Sequence, residues 1–315
     1  MTRILITGGA GFIAGALAER LAEHPERQIV IVDNFETGTP ANIPSSPHGN
    51  IRFIKCDVND YRDISAVFFS HNFDFVFHYA ALVGVQRTLA NPVKVLRDLD
   101  GIRHILDLAK NSGVKRVFFS SSSEVYGEPF EIPQNESTTP LNSRLPYAIV
   151  KNAGESWLRA YHTEYGLEYT IFRFFNTYGP RQSEDFVVTR FIRAALAGKP
   201  ITIYGDGLQT RTFCYIHDNI EACVRIFENN EFINDVVNIG SDHEITVLEL
   251  AQAVVALTNS DSNIEHLPAL KEGDMSRRKP DIGKMRRVLE RQLTPLDEGL
   301  IKVINHINKS VHVRH

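Results

Sequence analysis

Cysteine is scarce in this chain, with three in 315 residues (Cys56, Cys214 and Cys223), odd in number and far apart. That spacing excludes a disulfide framework and supplies no paired-cysteine metal motif, so no metal is expected. It suits buried thiols in a reducing compartment, and a cytoplasmic protein is the expectation. An excess of basic residues is also missing: 34 Lys and Arg stand against 38 Asp and Glu. No cationic stripe offers a nucleic-acid surface and no polybasic run a membrane surface. No apolar run approaches the roughly 18 residues of a spanning helix. The chain is entering its first strand by Arg3, so no signal peptide is expected. Repeats and low-complexity tracts are absent as well. With 43% hydrophobic residues, one large domain or two coupled ones is the expected organisation.

What is present is alternation. Strand-like apolar runs occur at Arg3–Thr7, Ile29–Asp33, Arg52–Cys56, Phe75–Tyr79, Val117–Ser121 and Tyr169–Phe174. Between them lie helical patterns such as Gly15–Glu23, Val93–Asn111 and Tyr147–Tyr165. This order predicts an α/β fold with a doubly wound parallel sheet and helices on both faces. Beyond about residue 176 the pattern loosens into "ITIYGDG", "VVNIG" and "LELAQAVVAL", which predicts a smaller mixed lobe on the substrate side. The expected division is 1–175 for the first domain and mainly 176–315 for the second.

The first strand runs directly into "TGGAGFIAG", and a helix follows. Glycines let the backbone turn sharply and approach a pyrophosphate, whose charge then sits at the helix N-terminus. An ordinary tight turn reads the same in isolation; context separates the two. The second strand ends in Asp33, about twenty residues further on, where a carboxylate accepts both hydroxyls of an adenosine ribose. It repels a 2′-phosphate, and Asn34-Phe35-Glu36 brings no arginine to hold one. NAD is therefore expected rather than NADP. Asp57, past the third strand, can meet the adenine amino group or merely form a strand-end turn.

"YAIVK" places Tyr147 and Lys151 at i and i+4, on one face of a helix. An ammonium beside a phenol stabilises the phenolate, which can take a proton from a sugar hydroxyl while hydride leaves the same carbon. Alone, such a pair is most often a solvated helix face. With a dinucleotide loop and a serine-bearing strand end upstream, it reads as a catalytic pair.

Taken together, "TGGAGFIA", "VDNFETG", "CDVND", "HYAA", "SSSSEVYGEP", "YAIVK", "RFFNTYGPRQ", "ITIYGDGLQTRTFCYIHD", "VNIGS" and "RRKPDI" resemble the extended short-chain dehydrogenase/reductases of the nucleotide-sugar epimerase/dehydratase/decarboxylase group. The motifs run in the family's order from residue 4 to about 282. The resemblance implies a Rossmann-type NAD-binding domain carrying the catalytic Ser, Tyr and Lys, and a nucleotide-sugar-binding lobe. It implies cofactor contacts from Gly8, Gly11, Phe12, Ile13, Asp33, Asn34, Asp57, Val58, Ala80, Tyr147 and Lys151. Ser122 would hydrogen-bond the sugar hydroxyl beside Tyr147, and Asn176 would touch the diphosphate-sugar. Tyr204 would lie near the base, with Arg211 and Arg278 neutralising the diphosphate. An arginine fork suits phosphate oxygens; a surface ion pair is the lesser alternative for each. The resemblance also implies a UDP-sugar as substrate and a homodimer formed through helices at about 93–111 and 147–165. Two positions depart from the family pattern: Ala14 where a third glycine is commoner, and Asp98, in "DLDGI", where asparagine is frequent.

Glu124 divides the possible reactions. Oxidation at C4 of the sugar makes a ketone. If the ketone only turns over and is reduced on its other face, the enzyme is a 4-epimerase and needs no carboxylate at 124. If C5 loses its proton and C6 its hydroxyl, it is a 4,6-dehydratase. If C6 is a carboxylate, carbon dioxide leaves. Glu124 suits the last two, in which C5 loses or regains a proton; a strand-end cap or structural ion pair is the alternative. "SSSEVYG" and "RRKPDI" resemble UDP-glucuronate decarboxylases most, and Ser123 stands where dehydratases usually carry aspartate. The loop "HYAALVGVQRT" instead looks like that of epimerases. A non-catalytic NAD-sensing scaffold is the rival outside enzymes; Ser122, Tyr147 and Lys151 together speak against it.

Overall fold

The computed structural model describes residues 1–269 and 275–312. They form two compact units. The first comprises Met1–Val125, Leu141–Phe174 and Ile220–Val237; the second comprises Tyr126–Pro140, Phe175–Asn219 and the described part of Asn238–His315. The chain thus passes from one unit to the other several times, where the sequence reading drew one boundary at 175/176.

In the first unit, β1 (Thr2–Thr7), β2 (Arg27–Asp33), β3 (Ile51–Lys55), β4 (Phe75–His78), β5 (Arg116–Ser122) and β6 (Glu168–Phe174) belong to one sheet. Its order is Asp235–Ile239, β6, β5, β4, β1, β2, β3. From β3 to β6 every pairing is parallel. Ile4, Leu5 and Ile6 are wholly buried, as expected of strands covered on both faces. On one face Phe77 of β4 stacks on its register partner Phe118 of β5 at 4.3 Å, and Phe227 meets Phe118 edge-on at 5.7 Å. The other face packs on α2 (Tyr61–Ser70), α5 (Asp98–Ser112) and α6 (Pro146–Tyr165), through Phe68, Ile105 and Leu158 among others. The helix α1 (Phe12–Leu21) follows β1, and α3 (Val85–Ala90) and α4 (Pro92–Leu96) precede α5. The strand order turns back between β1 and β4, and ligands of such sheets bind beyond the strand ends at that switch.

The pattern Val93–Asn111 is two helices, parted at Arg97, and not one. Gly113 and Gly166 close α5 and α6 in the left-handed conformation, at φ 77° and 72°. "VVNIG", assigned from sequence to the second lobe, supplies the edge strand Asp235–Ile239 of the main sheet. That pairing joins segments far apart in the chain, so no local pattern announces it. The second unit holds short two-stranded ladders: Thr177–Tyr178 with Cys214–Tyr215, Thr210–Thr212 with Glu244–Thr246, and Ile201–Tyr204 with Ile264–Leu267. Helix Val247–Thr258 packs beside them, its start fixed by a capping box between Thr246 and Glu249. Among the described residues no helix is long and apolar enough to cross a membrane.

Candidate active site

The glycine loop lies at the switch point. Gly8 has φ 75°, and a Cβ there would stand 2.9 Å from the Ala80 backbone nitrogen. Only glycine allows the β1 turn to lie this close to the end of β4. Thr7 fixes the same approach. Its Oγ1 accepts the N–H groups of Tyr79 (3.1 Å) and Ala80 (3.0 Å), so its own proton goes to His78 Nδ1 at 2.8 Å. His78 is thereby the neutral Nε2–H tautomer, and burial, reinforced by the Lys151 charge, pushes its pKa down to about 3.

At the end of β2 the Asp33 carboxylate accepts from Ala10 N–H (3.0 Å) and Phe35 N–H (2.7 Å). Burial raises its pKa, and the two backbone bonds hold it back. A Cβ on Gly38 would come within 2.8 Å of Asp33 Oδ2, so this glycine keeps space beside the carboxylate. Sequence reasoning passed over Gly38, Thr7 and His78. Asn34 Oδ1 accepts from Glu36 N–H (2.9 Å), and Asp57 Oδ1 from Asn59 N–H (2.9 Å), so both side chains close turns. Val58 is buried, and its carbonyl lies 3.1 Å from His104 Nδ1. Phe12 and Ile13 open α1 directly after Gly11. A glycine cradle at a helix start, with a fixed carboxylate at the next strand end, fits a dinucleotide.

Ser122 ends β5, and its Oγ accepts from the Glu124 N–H at 3.2 Å across a 3₁₀ turn over Ser123–Tyr126. Helix α6 lies close on β5 because position 154 is glycine; a Cβ there would be 2.6 Å from Phe119 Cζ. This approach carries the Lys151 ammonium 5.0 Å over the Phe119 ring and 5.7 Å from the ring of half-buried Tyr147. Lys151 Nζ donates to Ser120 Oγ (3.4 Å), which donates onward to His78 O (3.3 Å). Burial lowers Lys151 to about 8, and Asp98 opposes that shift.

One turn beyond Lys151, the wholly buried Glu155 accepts from Ser121 Oγ (2.6 Å) and from both Nε (2.9 Å) and Nη2 (2.7 Å) of Arg173. These bonds hold the Glu155 carboxyl below its ordinary range despite burial. They tie α6, β5 and β6 together directly under the Tyr147/Lys151 turn. Sequence reasoning missed this group; its one local signal is a carboxylate at i+4 from Lys151.

In the second unit Asn176 Nδ2 donates to Thr212 O (3.2 Å), and Tyr204, with the Arg190 guanidinium 5.8 Å over its ring, ends the strand Ile201–Tyr204. Arg211 and Arg278 are buried; Arg211 Nη1 donates to Thr210 O (2.7 Å), and Arg278 Nε lies 3.2 Å from Met275 Sδ. Beside Arg278, Arg277 grips Glu244 with two bonds of 2.9 Å and holds that carboxyl at about 2. Among the described residues no cluster of three or more His, Cys, Asp or Glu could hold a metal.

The parallel sheet, the glycine cradle and the strand-end carboxylate define a dinucleotide-binding class of fold, and sequence comparison gives the family: the chain belongs to the NAD dependent epimerase/dehydratase family, which it matches over residues 4–240. It is 36% identical to UDP-glucuronic acid decarboxylase 1 of Danio rerio, over 98% of this chain and 73% of that protein. It is 39% identical to UDP-N-acetyl-alpha-D-glucosaminuronate decarboxylase of Bacillus cytotoxicus, over 91% of this chain and 92% of that one. Among solved structures it resembles the UDP-glucose 4-epimerase of Thermotoga maritima with UDP-glucose, at a TM-score of 0.92 and 31% identity, covering 98% of this chain and all of that one.

Proposed function

We propose that this chain is a UDP-glucuronate decarboxylase that works through a 4-keto sugar. The observation that carries the reading is Glu124, joined through its own N–H to the Ser122 hydroxyl at the end of β5. The decarboxylases among its relatives support it.

NAD, when bound, supplies a hydride acceptor and donor for C4. Tyr147 takes the proton of the 4-hydroxyl, Lys151 lowers the cost of the phenolate, and Ser122 orients the hydroxyl. The C6 carboxylate of the 4-ketone is that of a β-keto acid, so the C5–C6 bond breaks and carbon dioxide leaves. Its electron pair enters the C4–C5 enolate, and Glu124 delivers a proton to C5. Tyr147 then returns its proton to the C4 oxygen. Asn176, Tyr204, Arg211 and Arg278 are assigned to the nucleotide diphosphate-sugar. Gly8, Gly11, Phe12, Ile13, Asp33, Asn34, Asp57, Val58 and Ala80 are assigned to the dinucleotide.

4-Epimerisation is the second reading, favoured by the epimerase-like loop "HYAALVGVQRT"; 4,6-dehydration is the third. Mass spectrometry of products from UDP-glucuronate, UDP-glucose and UDP-N-acetylglucosamine separates them. Loss of carbon dioxide from the first is expected. Loss of water, or an isomer of unchanged mass, assigns the chain to dehydration or epimerisation instead.

Two further outcomes follow from this reading. With Asp33 held by two backbone donors and no arginine in Asn34-Phe35-Glu36, calorimetry should show NAD bound at least tenfold more tightly than NADP. Equal affinities contradict the role given to Asp33. A homodimer through the α4/α5 and α6 face is also expected. Val93 and Leu96 of α4 and Ile149 of α6 are 74%, 40% and 45% exposed, apolar surface that a partner's helices would cover. Light scattering at micromolar concentration should give twice the chain mass, and a monomer refutes the dimer.

A further inference from the structure

One carboxylate of the second unit holds the immediate neighbours of both arginines assigned to the diphosphate. Glu244 opens the short strand Glu244–Thr246, which pairs antiparallel with Thr210–Thr212. On the other edge of Thr210–Thr212 lies the segment 275–281. A parallel bridge between Thr210 and Arg277 joins the two, and Thr210 N–H donates to Ser276 O at 3.1 Å. Arg277 reaches across Thr210 to Glu244, Nε to Oε1 and Nη2 to Oε2, each at 2.9 Å; Thr210 Oγ1 donates to Glu244 Oε1 as well. Successive side chains of an extended chain point to opposite faces. Thr210 and Arg277 therefore share the face of Glu244, while Arg211 and Arg278 fall on the opposite one. Burial agrees: Arg277 is exposed, whereas Arg211 and Arg278 are buried. Nε and Nη2 of Arg278 lie 3.2 and 3.0 Å from Met275 Sδ, and a thioether is a far weaker acceptor than a phosphate oxygen.

We propose that Glu244 is a positioning residue for the nucleotide diphosphate: gripping Thr210 and Arg277 on one face, it fixes the separation of Arg211 and Arg278 on the other. Both guanidinium groups can then meet one diphosphate. This rests on the assignment of those two arginines to the substrate. The Arg277 grip is bidentate, a geometry that fixes orientation as well as charge. A partly exposed ion pair contributes little to folding stability; its effect here is on where two neighbouring strands stand.

The segment 275–281 has fastenings of its own that survive a change at Glu244. Ser276 N–H and Oγ both donate to the Glu128 carboxylate. Gln134 N–H donates to Lys279 O at 2.8 Å, and Asp281 N–H donates back to Gln134 O at 2.8 Å. These bonds keep the segment attached on either side of Arg277 and Arg278, and none of them uses the Arg277 side chain. What Glu244 adds is the lateral grip at residue 277, next to the arginine that matters for the ligand.

The test is calorimetry of UDP and UMP with the NAD-saturated protein. These nucleotides share base and ribose and differ by one phosphate, so their affinity ratio reads the pair of arginines. In Glu244→Ala, UDP should bind about tenfold more weakly and UMP no more than about threefold. Arg277→Met should do the same, and the double variant should match either single one within about twofold, because both remove one contact. Glu244→Gln keeps the shape and an acceptor for Thr210; a loss of about threefold for UDP is expected, and this variant carries the test if the alanine protein does not fold. Arg278→Met should weaken UDP by more than about tenfold. UDP affinity unmoved in Arg278→Met overturns the diphosphate assignment and this proposal with it. UDP affinity lost in Arg278→Met but unmoved in the folded Glu244 variants overturns the positioning role alone. Equal loss of UDP and UMP in those variants overturns it too, as does a double variant whose loss is the product of the two single ones.

Discussion

Replacing Tyr147 by Phe is expected to abolish turnover, with no rise in NADH absorbance when UDP-glucuronate is added. The hydroxyl is the only atom lost. The ring keeps its place beside Lys151 on α6, and the helix remains held to β5 by the close approach at Gly154 and to β6 through Glu155 and Arg173. The fold should therefore stay near parental, and saturating NAD makes the loss readable as chemistry. General acid–base help contributes about 10²–10⁴ in rate. The same group works twice here, accepting a proton in oxidation and returning it in reduction, so the upper part of that range is expected. A Tyr147→Phe protein that reduces its cofactor within tenfold of the parental rate assigns the proton transfer to another group.

Glu124→Gln should behave differently. The amide preserves the shape of the side chain and leaves the Glu124 N–H to Ser122 bond intact, since that bond uses the backbone. Oxidation at C4 is then undisturbed, and NADH should appear on adding substrate. Protonation at C5 loses its acid, so the product should form about 10²–10⁴ more slowly and the reduced cofactor should persist. A near-parental overall rate removes both the decarboxylase and the dehydratase readings and leaves Glu124 as part of the strand-end turn.

The elements legible in the sequence are those whose meaning is local. The glycine turn, Asp33 and the Tyr147/Lys151 spacing each lie within one strand–turn–helix unit, and their periodicity places them before any fold is known. The strands from Arg3 to Phe174 read correctly for the same reason, to within a residue or two at most ends. What stayed hidden joins distant segments. Glu155 and Arg173 are on different elements, and only the folded sheet sets one against the other, as it does Thr7 with Tyr79 and Ala80. The edge strand Asp235–Ile239 looks like any short apolar run until it meets β6. Asp98 is an intermediate case. Its position in "DLDGI" marked it as unusual, but its acceptors' partners, Asn59 and Leu82, come from two loops that the sequence separates. The break at Arg97 went unread because the apolar spacing of Val93–Asn111 continues across it.

The most direct measurement is release of labelled carbon dioxide from UDP-glucuronate labelled at C6, using the purified protein with NAD. Catalytic release is predicted, many equivalents per chain, with no net consumption of NAD because the hydride taken from C4 is returned there. Release should be lost in Tyr147→Phe and strongly slowed in Glu124→Gln. Full retention of the label in a UDP-sugar, by a protein that binds NAD and UDP-glucuronate, contradicts the decarboxylase assignment.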